Sequence, residues 1–368
     1  MTQVLPGAAR PGEYLPLLQG KNIALVANAA SEVNGVPTLD TLLAMNLNVR
    51  KVFTPEHGFQ LTGEAGETIG NIVDSATSIP VISLYGKKKK PEASDLQGMD
   101  VVVFDIQDVG VRFFTYISTL TLLMESCAEQ DIPLIVFDRP NPNGFYVDGP
   151  VLEKEYASFV GMHPVPVVYG MTIGEYARMV NGEGWLADGK QCDLTVVELE
   201  GYAHFSQVEL PVNPSPNLTS ANAIFLYPSL CLFEGTVVSV GRGTRYPFEV
   251  IGHPKLTGFD FSFVPEKIPG MSTAPPYLGE ACNGLDLRTF YEEKPGLKGR
   301  LRLGWLKMMY RNLSGSGEFF NSYFDKLAGN GTLRKQIEAG MDEKEIRATW
   351  QPGLNRFLEI REKYLLYP

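Results

Sequence analysis

Cysteine, histidine and tryptophan are scarce in this 368-residue chain, at four, four and three, and the scarcity excludes several chemistries. Cys127, Cys192, Cys231 and Cys282 are far apart and form no CxxC pair. They read as buried small hydrophobes, neither a disulfide framework nor a zinc site. His57, His163, His204 and His253 are too dispersed for a metal centre, and neither metal nor cofactor is expected. No apolar run approaches the roughly 20 residues that cross a bilayer, so no membrane span is expected. Positive charge is also short. A net charge of −10 argues against a nucleic-acid partner, which needs a basic face. The one basic run, Lys87 to Lys90 ahead of Pro91, reads as a solvated loop before a helix. The loop after the first apolar run is ANAASEVNG, without the GxGxxG glycines that let a backbone approach a pyrophosphate. There is no Walker lysine loop, no HExxH and no GxSxG elbow.

What is present is an ordinary globular composition, 44% hydrophobic and 20% charged, long enough for two domains. The first 200 residues alternate short apolar runs with amphipathic stretches, the pattern of a parallel sheet with helices on its faces. NIALVANAA, VRKVFT, VISLYG, VVVFDI, PLIVFD and LTVVELEG are the expected strands. PTLDTLLAMN and YISTLTLLMESCAEQ are expected helices, and Thr172 with Glu175 forms a capping box at the start of another. The proline-rich PVNPSPN suggests a boundary, with one domain over 1–216 and a second over 217–368. Beyond it, VVSVGRGT reads as a strand, and GWLKMMYRNL and NRFLEIREKYLLY as helices. The start, MTQVLPGAARPGEYLPLL, lacks the basic and apolar segments of a signal peptide. The protein is then either cytoplasmic or relieved of an export signal.

Ligands of open α/β sheets bind at the carboxyl ends of the strands. Three expected strands run into unusually polar loops: TPEHGF (Thr54 to Phe59), DIQDVGVRFFTY (Asp105 to Tyr116) and DRPNPNG (Asp138 to Gly144). They bring Glu56, His57, Asp105, Gln107, Asp108, Arg112, Asp138, Arg139, Asn141 and Asn143 to one edge. Simpler uses exist for some of these. Asp138 closes a turn on one reading, Asp105 and Arg112 form a buried ion pair on another, and Glu175 caps its helix. Without a cofactor motif, carboxylate acid/base chemistry is the economical choice, and sugar hydrolysis fits it.

At these segments the chain resembles the NamZ-like exo-β-N-acetylmuramidases. The matching stretches are PEHGF, SLYG, DIQDVGVRFFTYISTL, DRPNPNG, DGPVLE, GMTIGE, NPSPN, FEGTVVSVGRGT and REKYLLY, from about residue 20 to the end. The resemblance implies an α/β protein with a Rossmann-like parallel-sheet N-terminal domain, a smaller α/β C-terminal domain and a cleft between them. It implies exo-acting release of N-acetylmuramic acid from the non-reducing end of peptidoglycan fragments, with peptidoglycan-derived sugars as partners. It also favours an extracytoplasmic location, periplasmic or secreted. Carried over by position, Glu56 leads as the catalytic general acid, with Asp105 and Asp108 next. His57, Gln107, Arg112, Tyr116, Arg139, Asn141, Asn143 and Arg242 are the expected substrate-binding residues. Two departures stand out: Tyr169 before Gly170, where relatives commonly have histidine, and Val237 and Val238, where polar residues are more usual.

The implied substrate carries a lactyl carboxylate, which a protein of charge −10 would repel without local compensation. Arginine offers a planar fork matched to that group. Arg242, with Arg112 or Arg139, is expected to close over it, unless Arg242 instead holds its own loop. A non-catalytic binder of muropeptides or other anionic sugars is the competing reading, and a nucleotide-sugar transferase the third.

Overall fold

Each core strand of the first domain alternates between two buried faces. In the computed structural model, which describes residues 4–64, 66–67, 70–313, 315 and 317–368, these strands form one seven-stranded sheet. Its members are β1 (Asn22–Ala27), β4 (Asn48–Thr54), β5 (Ile72–Val73), β6 (Pro80–Ser83), β7 (Val101–Asp105), β8 (Leu134–Phe137) and β9 (Leu194–Val197). A two-residue hairpin, β2 (Glu32–Val33) with β3 (Val36–Pro37), follows the first strand. The order is β5-β6-β4-β1-β7-β8-β9, parallel except for the short β5. Ile23, Leu25, Val101, Val103, Ile135 and Phe137 pack under α1 (Pro11–Leu18) and α2 (Thr38–Ala44). Ala24, Val26, Val102, Phe104, Leu134 and Val136 face α4 (Tyr116–Glu129) and α5 (Ile173–Gly182). A sheet covered on both faces has strands that read as unbroken apolar runs, which is how the sequence reads.

The basic run is not merely solvated. Lys88 Nζ lies 2.8 Å from Asp95, in the short helix α3 (Ala93–Leu96), and Lys90 Nζ lies 2.8 Å from Glu129. The Thr172–Glu175 capping box forms as expected, and Glu175 does more. Its Oε1 accepts from the Leu366 backbone N–H at 2.7 Å and meets His204 Nε2 at 3.0 Å, tying the C-terminal tail to the first domain.

The second region opens with α6 (Ala221–Leu230), capped by Ser220, and contains an antiparallel sheet of β10 (Val250–His253), β12 (Cys282–Asp286) and β11 (Phe261–Phe263). Five further helices complete it: α7 (Phe290–Glu293), α8 (Leu303–Leu313), α9 (Phe324–Ala328), α10 (Thr332–Glu338) and α11 (Glu343–Glu362). The last helix ends before the expected YLLY turn, and those residues run out as a tail whose Tyr367 hydroxyl donates to Asp138 at 2.6 Å.

VVSVGRGT is not a strand. It pairs only through an isolated bridge from Ser239 to Gly252. Gly241 and Gly243 both adopt φ +79°, and a Cβ on Gly241 would sit 2.9 Å from the Tyr246 carbonyl. Two left-handed residues curl the chain where a strand would extend it. Arg242 stands between them.

Arg112 joins the two regions. Its guanidinium donates to the carbonyls of Pro150 and Val165 in the first, and Leu327 and Ala328 in the second, all within 2.9 Å. Gly329 turns away at φ +78°, where a Cβ would lie 2.5 Å from the guanidinium. A second clasp is the two-pronged Arg347–Asp148 pair at 2.8 and 3.1 Å.

Candidate active site

The chain departs from β1 in both directions, to β4 and β6 on one side and to β7, β8 and β9 on the other. That reversal of strand order opens a crevice at the carboxyl ends of β4 and β7. The second region roofs it, enclosing a cavity of about 770 Å³.

Glu56 enters from the end of β4. Its Oε2 accepts from the Thr115 hydroxyl at 2.8 Å, and its Oε1 from the Gly66 N–H at 3.0 Å. Thr115 is the residue before α4, and its hydroxyl makes no bond to its own helix. Glu56 therefore sits beside the N-terminal end of a 14-residue helix. The Tyr85 phenol is beside it, and burial followed by the Glu56 charge raises the phenol's pKa.

His57 holds the turn. Its backbone is left-handed at φ 72°, uncommon for a residue with a side chain. Nδ1 lies 2.9 Å from the Gly63 carbonyl, which can only accept, so Nδ1 carries the proton and Nε2 accepts from Ser215 Oγ at 3.3 Å. Burial lowers the pKa of this ring, outweighing the opposing pull of Glu56, and it stays neutral. It lines the cavity as a positioning residue for the loop that carries Glu56.

Tyr116 forms part of the floor, accepting from Asn28 at 3.3 Å and donating to the Pro214 carbonyl at 3.2 Å. The rings of Phe114 and Tyr116 meet edge to face at 4.7 Å, as do Phe113 with Tyr227 and Tyr227 with Phe248, at 5.4 and 4.9 Å. From the roof, Arg242 gives its Nε to Glu234 at 2.6 Å, with its guanidinium 5.2 Å from the Phe248 ring centre. One nitrogen is thus spent on orientation, and among the described residues neither Nη nitrogen has a hydrogen-bond partner, which leaves both for a ligand. Lys89, over the Phe159 ring at 4.3 Å, and Lys326 add positive charge to the walls.

Of the eleven residues singled out by sequence, Glu56, His57, Tyr116 and Arg242 line this cavity. The other seven do not, and the bonds they make go elsewhere in the protein. Asp105 is fully buried and pairs with Arg139, not Arg112, at 2.5 and 2.8 Å, also accepting from Thr38 at 2.5 Å. The Arg139 Nη2 that donates to Asp105 also reaches the Glu32 carbonyl. Gln107 donates to the Asp108 and Pro140 carbonyls. Asn141 donates to the Met171 carbonyl and accepts from the Asn143 N–H, and Asn143 donates to Val109 and Ile224. Asp108 accepts from the Gly110 N–H and from the hydroxyl of Tyr169, the residue that stands in place of histidine. Burial raises the Asp108 pKa to about 6. Asp138 acts through its carboxylate and not a backbone turn, accepting from Thr172 and Gly174 at 2.7 and 2.8 Å.

Glu234, Tyr85, Thr115 and Ser215 were not singled out by sequence. Glu234 had a signal, since it stands eight residues before Arg242 within FEGTVVSVGRGT, but only the curled backbone brings the two together. Among the described residues, no group of three His, Cys, Asp or Glu is arranged to hold a metal ion, and no helix is long and apolar enough to cross a membrane.

Residues 23–222 match the family described as exo-β-N-acetylmuramidase NamZ, N-terminal, and residues 225–367 its C-terminal counterpart. The chain belongs to the NamZ family. The peptidoglycan β-N-acetylmuramidase NamZ of Bacillus subtilis (strain 168) is 39% identical over 374 residues, covering 96% of this chain and 89% of that protein. Two crystal structures of DUF1343-family proteins from Bacteroides fragilis NCTC 9343 share the fold. One is 44% identical with a TM-score of 0.92, covering 100% of this chain and 99% of that one. The other is 29% identical with a TM-score of 0.82, covering 100% of both. The cavity thus lies where the two NamZ regions meet, with Glu56 from the first and Arg242 from the second.

Proposed function

We propose that this NamZ-family protein is an exo-β-N-acetylmuramidase that releases N-acetylmuramic acid from the non-reducing end of peptidoglycan fragments. The observation that carries the reading is the pairing across one cavity of a carboxylate with a cation. Glu56 is aligned by Thr115 and the Gly66 N–H, and Arg242 is aligned by Glu234. The sugar lies against the aromatic floor with its lactyl carboxylate on the free Nη nitrogens of Arg242. Glu56 gives a proton to the departing glycosidic oxygen as that oxygen's bond to C1 breaks. Water supplies the new oxygen on C1, and its remaining proton restores Glu56. Membership of a family described as exo-β-N-acetylmuramidases supports exo action. The same substrate supports a location outside the cytoplasm, periplasmic or secreted.

Incubation with a disaccharide bearing N-acetylmuramic acid at its non-reducing end, followed by mass spectrometry, tests the reading. Free N-acetylmuramic acid is expected. Saturable binding without release, at every pH tried, would establish a muropeptide-binding protein in its place.

A further inference from the structure

One member of the basic run faces the cavity. Lys88 reaches Asp95 and Lys90 reaches Glu129, both on neighbouring helices. Lys89, between them, lines the cavity that holds Glu56. It is half-buried, with its ammonium 4.3 Å from the centre of the Phe159 ring. Among the described residues it has no ion pair and no hydrogen bond, and its Nζ is not sealed off by protein.

Rings locate Lys89 relative to the chemistry. The Tyr85 phenol is beside Glu56, and the Phe159 ring that carries Lys89 is 6.0 Å from the Tyr85 ring. From the second region, Tyr323 lines the same cavity, within electrostatic reach of both Glu56 and Tyr85. Three positions on, across one turn of α9, Lys326 brings a second ammonium without an ion pair among the described residues. Arg242 belongs to a different group of rings, Phe248 and Tyr227. Three carboxylates also line the cavity, and none answers the two lysines. Glu234 holds Arg242, Glu64 accepts from the Thr273 N–H at 2.7 Å, and Glu56 is held by Thr115 and Gly66.

On the muramidase reading, the released sugar has its lactyl group on Arg242 and its glycosidic oxygen at Glu56. The rest of the glycan therefore departs from Glu56, where Tyr85 and Phe159 offer ring faces to sugars and lead to an unanswered cation. Resting on that reading, we propose that Lys89, assisted by Lys326, is a specificity-determining residue that binds a second carboxylate of the substrate, beyond the lactyl group of the sugar being released. In a glycan of alternating N-acetylglucosamine and N-acetylmuramic acid, that group is the next lactyl carboxylate, two sugars along. Where a stem peptide remains, a peptide carboxylate supplies the same charge.

The test compares kcat/KM on three substrates: the disaccharide ending in N-acetylmuramic acid, the tetrasaccharide of two such units, and the disaccharide with an alanylglutamate on its lactyl group. The unmodified protein should prefer the tetrasaccharide, the peptidyl disaccharide or both over the plain disaccharide, roughly 3- to 10-fold at low salt. Added salt should shrink the gap. Which substrate is preferred identifies the source of the carboxylate, and amidating that carboxyl should abolish its advantage. Lys89→Met should remove most of the preference, and Lys89→Arg should keep it. Equal kcat/KM on all three substrates in the unmodified protein, or a preference that survives Lys89→Met, would overturn the proposal. Failure of the muramidase reading would appear separately, as absence of product from every substrate. Calorimetric affinities for the same three sugars would then decide the role of Lys89 by the same ratios.

Discussion

The polar residues at the carboxyl edge of the sheet divide into two layers that obey different rules. In the deeper layer, Asp105, Gln107, Asp108, Arg112, Arg139, Asn141 and Asn143 are buried and bonded to the protein itself, although Asp108 Oδ1, Arg112 Nε and Asn143 Oδ1 have no partner among the described residues. In the upper layer, Glu56, Glu234 and Arg242 are only part-buried and line open space. The difference is one of spare capacity. Arg112 offers its Nη nitrogens to four backbone carbonyls, whereas Arg242 offers one nitrogen to Glu234 and keeps two. Buried polar groups are mostly satisfied internally, so a residue available to substrate is one that reaches the cavity and keeps bonding capacity there. Substitutions in the two layers should therefore fail differently.

The largest effect belongs to the deeper layer. Arg112→Met removes donors from carbonyls on both sides of the interface and should cost more than about 4 kcal/mol of stability. Burial has already drawn its pKa down to about 9, which marks how dry the site is. Denaturant unfolding measures the loss, and a variant as stable as the parent would move Arg112 out of the structural layer. Next is Glu56→Gln, expected to slow turnover by about 10² to 10⁴ while leaving the unfolding midpoint in place. Retention of more than about a tenth of the rate would shift the acid–base role to another carboxylate of the cavity, with Glu234 first. Smaller again is Arg242→Ala. A charge-assisted hydrogen bond contributes about 1.5–3 kcal/mol, so kcat/KM should fall roughly 10- to 100-fold on muramosides and far less on N-acetylglucosamine analogues. Arg242→Lys should recover part of the loss. Equal losses on both sugars would mean that Arg242 chiefly holds the Glu234 loop.

How much of this was legible beforehand follows from the same division. The strands were readable because a sheet buried on both faces needs unbroken apolar runs, and the Thr172–Glu175 cap because its spacing is local. VVSVGRGT misled because its alternating valines mimic a strand, while Gly241 and Gly243 decide the backbone. Polar strand ends located the right edge but could not rank depth along it. Asp105 and Glu56 look alike as sequence, and only the pairing with Arg139 separates them. Glu234 escaped notice because its importance lies in the eight-residue curl to Arg242, which is tertiary information.

The last expected effect tests burial itself, away from the cavity. His163 stacks on Trp185 at 5.6 Å and meets Thr121 Oγ1 at 3.2 Å, and burial lowers its pKa to about 4. An unfolded histidine titrates near 6.5, so between these values the unfolded chain binds a proton that the folded one refuses. The neutral ring's contribution is complete above about pH 6.5 and is lost as the pH falls towards 4, with a slope of up to about 1.4 kcal/mol per pH unit. Asp108 acts in the opposite sense. Its pKa, raised to about 6, gives stability that is complete below the usual carboxylate range and is lost as the pH climbs to about 6. The two nearly cancel in the parent protein, so the informative quantity is a difference. His163→Gln keeps hydrogen-bonding capacity without a titrating group, and the stability gap between parent and variant should widen as the pH rises from 4 to 6.5. For Asp108→Asn the gap should narrow over the same range. Urea unfolding at four pH values measures both, and a gap that stays constant for His163→Gln would show that the ring is hydrated in the folded state and titrates as it does in the unfolded chain.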